Sequence, residues 1–187
     1  MTTTDVKALK TRLISLLSER SVRRGDFTLS SGKKSHYYID ARRTTMSADG
    51  LALVGELGLA AIRTLGWKTD AVGGLTLAAD PVAYAIAMTS QRKPPIVNAF
   101  SVRKEPKTHG TGRQIEGCFE KGMSVVIVED TITTGGSAVR AAEAVQTAGG
   151  TVSGVLVLVD REEGGVQALR AAGHAVHALL SIKDLGL

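Results

Sequence analysis

The chain has 187 residues, 43% hydrophobic and 22% charged, the proportions of one soluble globular domain with a single substantial core. No apolar run reaches membrane-spanning length, the N-terminus lacks a signal peptide's apolar core, and the lone Cys118 excludes an internal disulfide, so a cytoplasmic protein is expected. The net charge of +5 is spread over many segments and only seven residues are aromatic, which argues against nucleic acid as the partner.

Val6, Leu9, Leu13, Leu16 and Leu17 recur at helical spacing and predict a helix over Thr4 to Glu19, capped by Thr3 or Thr4. Ser21 to Arg43 is polar, aromatic and punctuated by glycine, the pattern of short strands and loops. A second helix is expected from Ser47 to Leu65, stopped at Gly66. Asp70 to Val72 reads as a short strand running into a turn at Gly73-Gly74. Asp80 is the expected cap of a third helix, with Pro81 in its first turn, ending near Met88. Pro95 to Val102 reads as a strand and Arg103 to Gly117 as a loop. A strand over Ser124 to Val128, a helix over Gly136 to Ala148 and a Gly149-Gly150 stop follow. Last come a strand over Thr151 to Val159, a short helix over Gly164 to Ala172 and a strand over Ala175 to Ile182. Such alternation predicts a right-handed α/β fold with a parallel sheet and a ligand at the carboxyl ends of its strands.

The segment Val125 to Ser137, V-V-I-V-E-D-T-I-T-T-G-G-S, lies at such an end. Gly135 and Gly136 let backbone approach an anion, the hydroxyls of Thr131, Thr133, Thr134 and Ser137 can donate, and the next helix points its unpaired N–H groups there. Carboxylates do not bind phosphate, so Glu129 and Asp130 imply a ligand that also carries hydroxyls or a bound Mg²⁺. The motif is neither a Walker A loop nor a GxGxxG turn. Downstream of the preceding strand, Arg103, Lys104, Lys107 and His109 place four basic groups within seven residues, and Gly110 and Gly112 give that segment hinge freedom to close over an anion. Arg161 ends another strand, well placed for a bidentate bond to a carboxylate.

The Val125 to Ser137 segment closely resembles the phosphoribosyl-pyrophosphate (PRPP) motif of type I phosphoribosyltransferases. Phe100 to Gly112 resembles the R-K-x-x-K-x-H-G loop of the orotate phosphoribosyltransferases, and Phe27 to Asp40, F-T-L-S-S-G-K-K-S-H-Y-Y-I-D, resembles the segment that walls their orotate pocket. The resemblance implies a single domain over residues 1–187 with a central parallel sheet flanked by helices and a small N-terminal hood, formed mainly by about residues 1–45. It implies that Lys107 and Asp130 are catalytic. Arg103, Lys104, Lys107, His109, Glu129, Asp130, Thr131, Ile132, Thr133, Thr134, Gly135, Gly136 and Ser137 would bind PRPP, and Tyr38, Ile39, Thr133 and Arg161 would bind orotate, with Tyr37 behind that wall. Mg²⁺ is the implied cofactor, held mainly by PRPP and water near Asp130, and the implied assembly is a homodimer sharing loop 103–112 across its interface. Two lysines that many relatives use for PRPP are absent, at Ser30 and Leu77; Lys33 or Lys34 would compensate. A phosphoribosyltransferase for another base would lack the lysine loop, and a PRPP-sensing regulator would need a further basic surface.

Overall fold

Val125, Val126, Ile127 and Val128 are all fully buried, because the strand that carries them has a core on each face. Val126 and Val128 point into one, with Leu13 and Leu17, Leu53, Val54 and Leu57, Ile86, and Leu156 and Leu158. Val125 and Ile127 point into the other, with Ala141, Ala142, Val145, Val155, Val157 and Leu169. The two-residue period of a strand thus turns one unbroken apolar run into two packing surfaces.

The computed structural model describes residues 3–28, 34–105 and 114–187. In chain order the elements are α1 (Thr3–Arg20), β1 (Val22–Thr28), β2 (Lys34–Ile39), α2 (Arg42–Thr45), α3 (Ala48–Thr64), β3 (Ala71–Leu75), α4 (Ala79–Arg92), β4 (Asn98–Val102), β5 (Ile115–Gly117), β6 (Ser124–Ile132), α5 (Gly136–Thr147), β7 (Thr151–Asp160), α6 (Gly165–Ala171) and β8 (Val176–Ser181), followed by a 3-10 turn at Ile182–Leu185. β1 and β2 form a separate antiparallel hairpin. The main sheet has six strands in the order β5-β4-β3-β6-β7-β8, parallel except for the edge strand β5. Chain order reverses between β3, whose crossover leads to β4, and β6, whose crossover leads to β7, so the topological switch point lies between β3 and β6.

The expected helices are present. Ser47 caps α3, accepting a 3.2 Å hydrogen bond from the Gly50 N–H. Four expectations need correction. Gly73 and Gly74 do not make a turn; they lie inside β3, buried. A side chain at Gly74 would press into the Val128 carbonyl and come within 2.7 Å of the Ala79 Cβ, so their smallness serves close packing. Asp80 is not a cap, since α4 begins before it without any side-chain cap, and the helix runs past Met88 to Arg92. The strand expected from Pro95 starts only at Asn98, and the loop expected to Gly117 closes with β5 paired to β4. Finally β6 continues beyond Val128 to Ile132, because β7 pairs with it as far as Ile132↔Asp160.

Gly74→Ala is expected to lower stability by about 1–3 kcal/mol, the range for overpacking a filled site. Chemical denaturation measures it; an unchanged midpoint would mean that β3 and β6 are not in forced close approach.

Candidate active site at the strand ends

The carboxyl ends of four adjacent strands, in the order β4, β3, β6, β7, carry the polar residues of interest. After β3 come Thr76 and Leu77, after β4 come Arg103 and Lys104, β6 ends in Glu129 to Ile132, and β7 ends in Asp160 followed by Arg161.

Glu129 and Asp130 are nearly inaccessible, 6% and 8% exposed. Burial, reinforced by the neighbouring Asp130 charge and only partly offset by Arg140, pushes the Glu129 carboxyl up to about 8. Burial also raises Asp130, against a 2.7 Å hydrogen bond from the Thr131 N–H to its Oδ1 and the positive charge of Arg42. Arg42 is held by Asp40, its Nε donating to Oδ1 at 2.7 Å and its Nη2 to Oδ2 at 3.2 Å. That pair holds the Asp40 carboxyl below the usual carboxylate range. Sequence reasoning missed Arg42; an Asp-x-Arg step just past the hairpin has no periodicity to mark it.

Beyond the acids, Ile132 turns its side chain into the core, leaving its main chain to face the loop. Thr133 and Ser137 are half-buried and Thr134 is exposed. Gly135 caps α5 at φ 85°, a left-handed conformation that suits glycine, and no side chain occupies the helix N-terminus. A Cβ at Gly136 would meet nothing closer than the Thr134 Oγ1 at 4.0 Å. Protein packing therefore gives no reason for glycine there, whereas an anion drawn onto the helix N–H groups does. Thr131 Oγ1 is buried with no hydrogen-bond partner, a second polar group left for a ligand to satisfy.

Arg161 lies at the far side of the site, 9% exposed. Its N–H bonds to the Ile132 carbonyl at 3.1 Å, its Nη2 pairs with Glu163 Oε1 at 2.8 Å, and its guanidinium stacks 5.1 Å from the centroid of the Tyr37 ring. Its Nε is buried and unpartnered. Tyr37, expected as a rear support, is thus the platform under Arg161 and joins hairpin β1–β2 to the strand ends. Alternation along β2 sends neighbouring Tyr38 and Ile39 to opposite faces. Ile39 joins the core, while Tyr38 is 40% exposed with its ring 5.8 Å from that of Phe27.

At the edge, Arg103 is drawn to β5. Its N–H bonds to the Gln114 carbonyl at 2.8 Å and its Nε to Glu116 Oε1 at 3.0 Å, which fixes the base of the basic loop. Lys104 is exposed. Lys107 and His109 lie outside the described residues, as do Ser30 and Lys33; Lys34 opens β2, exposed. Among the described residues, no three His, Cys, Asp or Glu side chains gather as a metal-binding group.

No family model matches the chain. The orotate phosphoribosyltransferase of Rhodopirellula baltica is 44% identical over 179 residues, 94% of this chain and 93% of that one. The Corynebacterium glutamicum enzyme of the same name is 48% identical over 178 residues, 95% and 94% of the two chains. A crystal structure of Mycobacterium tuberculosis orotate phosphoribosyltransferase with Fe(III) dicitrate superposes with a TM-score of 0.86 at 45% identity, covering 96% of this chain and 99% of that one. A second, in complex with PRPP, gives 0.79 at 36% identity over 96% and 92%. Adenine phosphoribosyltransferase from Leishmania donovani, at 18% identity and a TM-score of 0.64, shares the fold. Relatives of this identity over nearly the whole length, on a sheet with this arrangement of strand ends, show that the chain belongs to the orotate phosphoribosyltransferase family.

Proposed function

We propose that the chain transfers the phosphoribosyl group of PRPP to orotate, giving orotidine 5'-monophosphate and pyrophosphate, the ribosylation step of pyrimidine synthesis. The observation that carries this reading is a buried acid pair and a glycine-opened helix N-terminus on one strand end, with an arginine one strand away whose buried Nε has no partner. The pyrimidine N1 gives up its proton, to solvent or to the departing pyrophosphate, and bonds to the ribose C1' as the C1'–oxygen bond breaks and pyrophosphate leaves with the electron pair. No enzyme nucleophile is required, so catalysis rests on positioning and electrostatics.

Thr131, Thr133, Thr134, Ser137 and the main chain of Ile132, Gly135 and Gly136 grip the 5'-phosphate. Glu129 and Asp130 hold the ribose hydroxyls. Lys107 is the main catalytic group, stabilising the leaving pyrophosphate with Arg103, Lys104 and His109. Arg161 and Thr133 bind the orotate carboxylate edge and the Tyr38 ring walls the base, with Ile39 contributing through its main chain because its side chain is in the core. Asp130 would offer a hard oxygen to Mg²⁺, and among the described residues no group of three or more His, Cys, Asp or Glu side chains gathers there. That donor set suits a cation carried largely by the diphosphate and water, whose charge offsets that of the leaving group.

Residues 1–45 act as the hood of the single domain. A homodimer is supported by the exposed apolar side chains Leu77, Tyr84 and Met88, and loop 103–112 would be shared across its interface. A cytoplasmic location fits the lone Cys118, and no helix among the described residues is long and apolar enough to cross a membrane.

The direct test is the fall in orotate absorbance on adding PRPP and Mg²⁺ to folded protein; an unchanged spectrum would overturn the assignment. Lys107→Ala is expected to cut turnover by roughly a hundredfold or more, since charge-assisted bonds of about 1.5–3 kcal/mol are lost at the transition state, while circular dichroism stays unchanged. A near-normal rate would remove Lys107 from its role. Glu129 supplies a pH-dependent test of the site's burial. Its folded pKa, about 8, lies above its unfolded value, so the unfolded chain loses this proton first. Glu129's contribution to stability is therefore fully present below about pH 4.5 and is lost as pH rises to about 8. Glu129→Gln should raise the thermal midpoint at pH 8 by at least about 4 °C and leave it nearly unchanged at about pH 4. Equal shifts at both pH values would contradict the burial penalty.

A further inference from the structure

Asp80 sits in the first turn of α4, 8% exposed, yet caps nothing on its own helix. Its Oδ2 accepts a 2.6 Å hydrogen bond from the Thr76 hydroxyl, and its Oδ1 accepts one of 2.7 Å from the Ser101 hydroxyl. Both are short, as hydroxyl-to-carboxylate bonds are. Because Ser101 gives its one proton to Asp80, the Tyr84 hydroxyl, 2.9 Å away, donates to Ser101 and completes the chain. The positive end of α4 stabilises the carboxylate where it lies.

What this carboxylate joins gives it meaning. Thr76 directly follows β3, at the switch point beside Glu129 and Asp130, and leads into Leu77; its N–H bonds to the Val102 carbonyl at 2.8 Å. Ser101 is on β4, two residues before Arg103, where the basic segment begins. Pairing between β3 and β4 ends at Leu75↔Val102, with the Thr76 N–H as its last backbone bond, so the ladder does not orient the Thr76 and Ser101 side chains. The Asp80 side chain bridges those two strand ends from the helix that packs over them.

We propose that Asp80 is a positioning residue for the diphosphate half of the donor site, clamping Thr76 and Ser101 so that the turn after β3 and Arg103 and Lys104 at the end of β4 keep the spacing that a diphosphate requires. This rests on the transferase reading above. The clamp does not touch the acceptor half of the site, where Arg161 follows β7, one strand beyond β6, and stacks on Tyr37 of the hairpin. Its loss therefore has a directional signature.

Steady-state kinetics on the full chain, with each substrate varied in turn, and calorimetric titration with inorganic pyrophosphate test the clamp. Asp80→Asn is expected to raise the KM for PRPP and the pyrophosphate Kd by roughly tenfold, the effect of one or two weakened bonds, with the KM for orotate moving less than about twofold. Ser101→Ala and Thr76→Val should each give a smaller change of the same kind, roughly threefold, and decide the matter if Asp80→Asn does not fold. Ser101→Ala in the Asp80→Asn background should add little, because the two changes break one shared bond. Equal rises in both KM values, a fall in thermal midpoint with unchanged kinetics, or fully additive effects would overturn the clamp. Wild-type turnover of orotate tests the reading beneath it separately, and pyrophosphate binding reports on the clamp even without that turnover.

Discussion

Placing two adjacent carboxylates at the end of a strand buried on both faces is the constraint around which the rest of the molecule is arranged. Glu129 and Asp130 are there because β6 is one of the two central strands of the sheet and because β7 stays paired with it past the valine run. Among the described residues, neither acid has a close ion-pair partner. The strand's own N–H at Thr131 takes one oxygen of Asp130, and Arg42 contributes charge from the segment after the hairpin, itself tethered by Asp40. Burial dominates both carboxyls, and this energetic cost falls at the point where a ligand rich in hydroxyls would relieve it.

The neighbouring strands supply what the acid pair cannot. β3 comes close enough to β6 to need glycine at position 74, so the turn that follows it opens beside the acids. β4 delivers the basic segment one strand farther out, and β7 delivers Arg161 on the opposite side. Positive groups thus flank a negative centre across adjacent strand ends. This order matches a donor whose phosphates and sugar occupy different parts of one crevice.

Much of this was legible in the residues. A four-residue β-branched run, two acids and a Thr/Gly turn specify a strand end that leads into a helix, and Ser47 marks the start of α3 through its cap. What failed to show did so for physical reasons. Gly73-Gly74 has the signature of a turn, and only the distance to Val128 and Ala79 reveals that the same dipeptide is a packing device inside a strand. Asp80-Pro81 has the signature of a helix start, yet the carboxylate faces other strands. The three-residue β5 carries too little pattern to announce itself, and its pairing is fixed by β4. Tyr37 under Arg161 and Arg42 near Asp130 depend on how the hairpin meets the sheet, which no local spacing encodes.

Arg161 gives the crevice a property that a list of its ligands would not convey. Its guanidinium is buried and already neutralised by Glu163 at 2.8 Å, with the Tyr37 ring beneath it. A carboxylate reaching it does not meet an uncompensated cation but exchanges or shares a counter-ion. Such an exchange leaves the net desolvation of Arg161 nearly unchanged, so long-range attraction contributes little and hydrogen-bond geometry at the open Nε decides. A molecule of the same outline without a hydrogen-bond acceptor there gains nothing from that position. Discrimination there is a matter of fit between two planar groups, and added salt weakens it far less than it would an exposed ion pair.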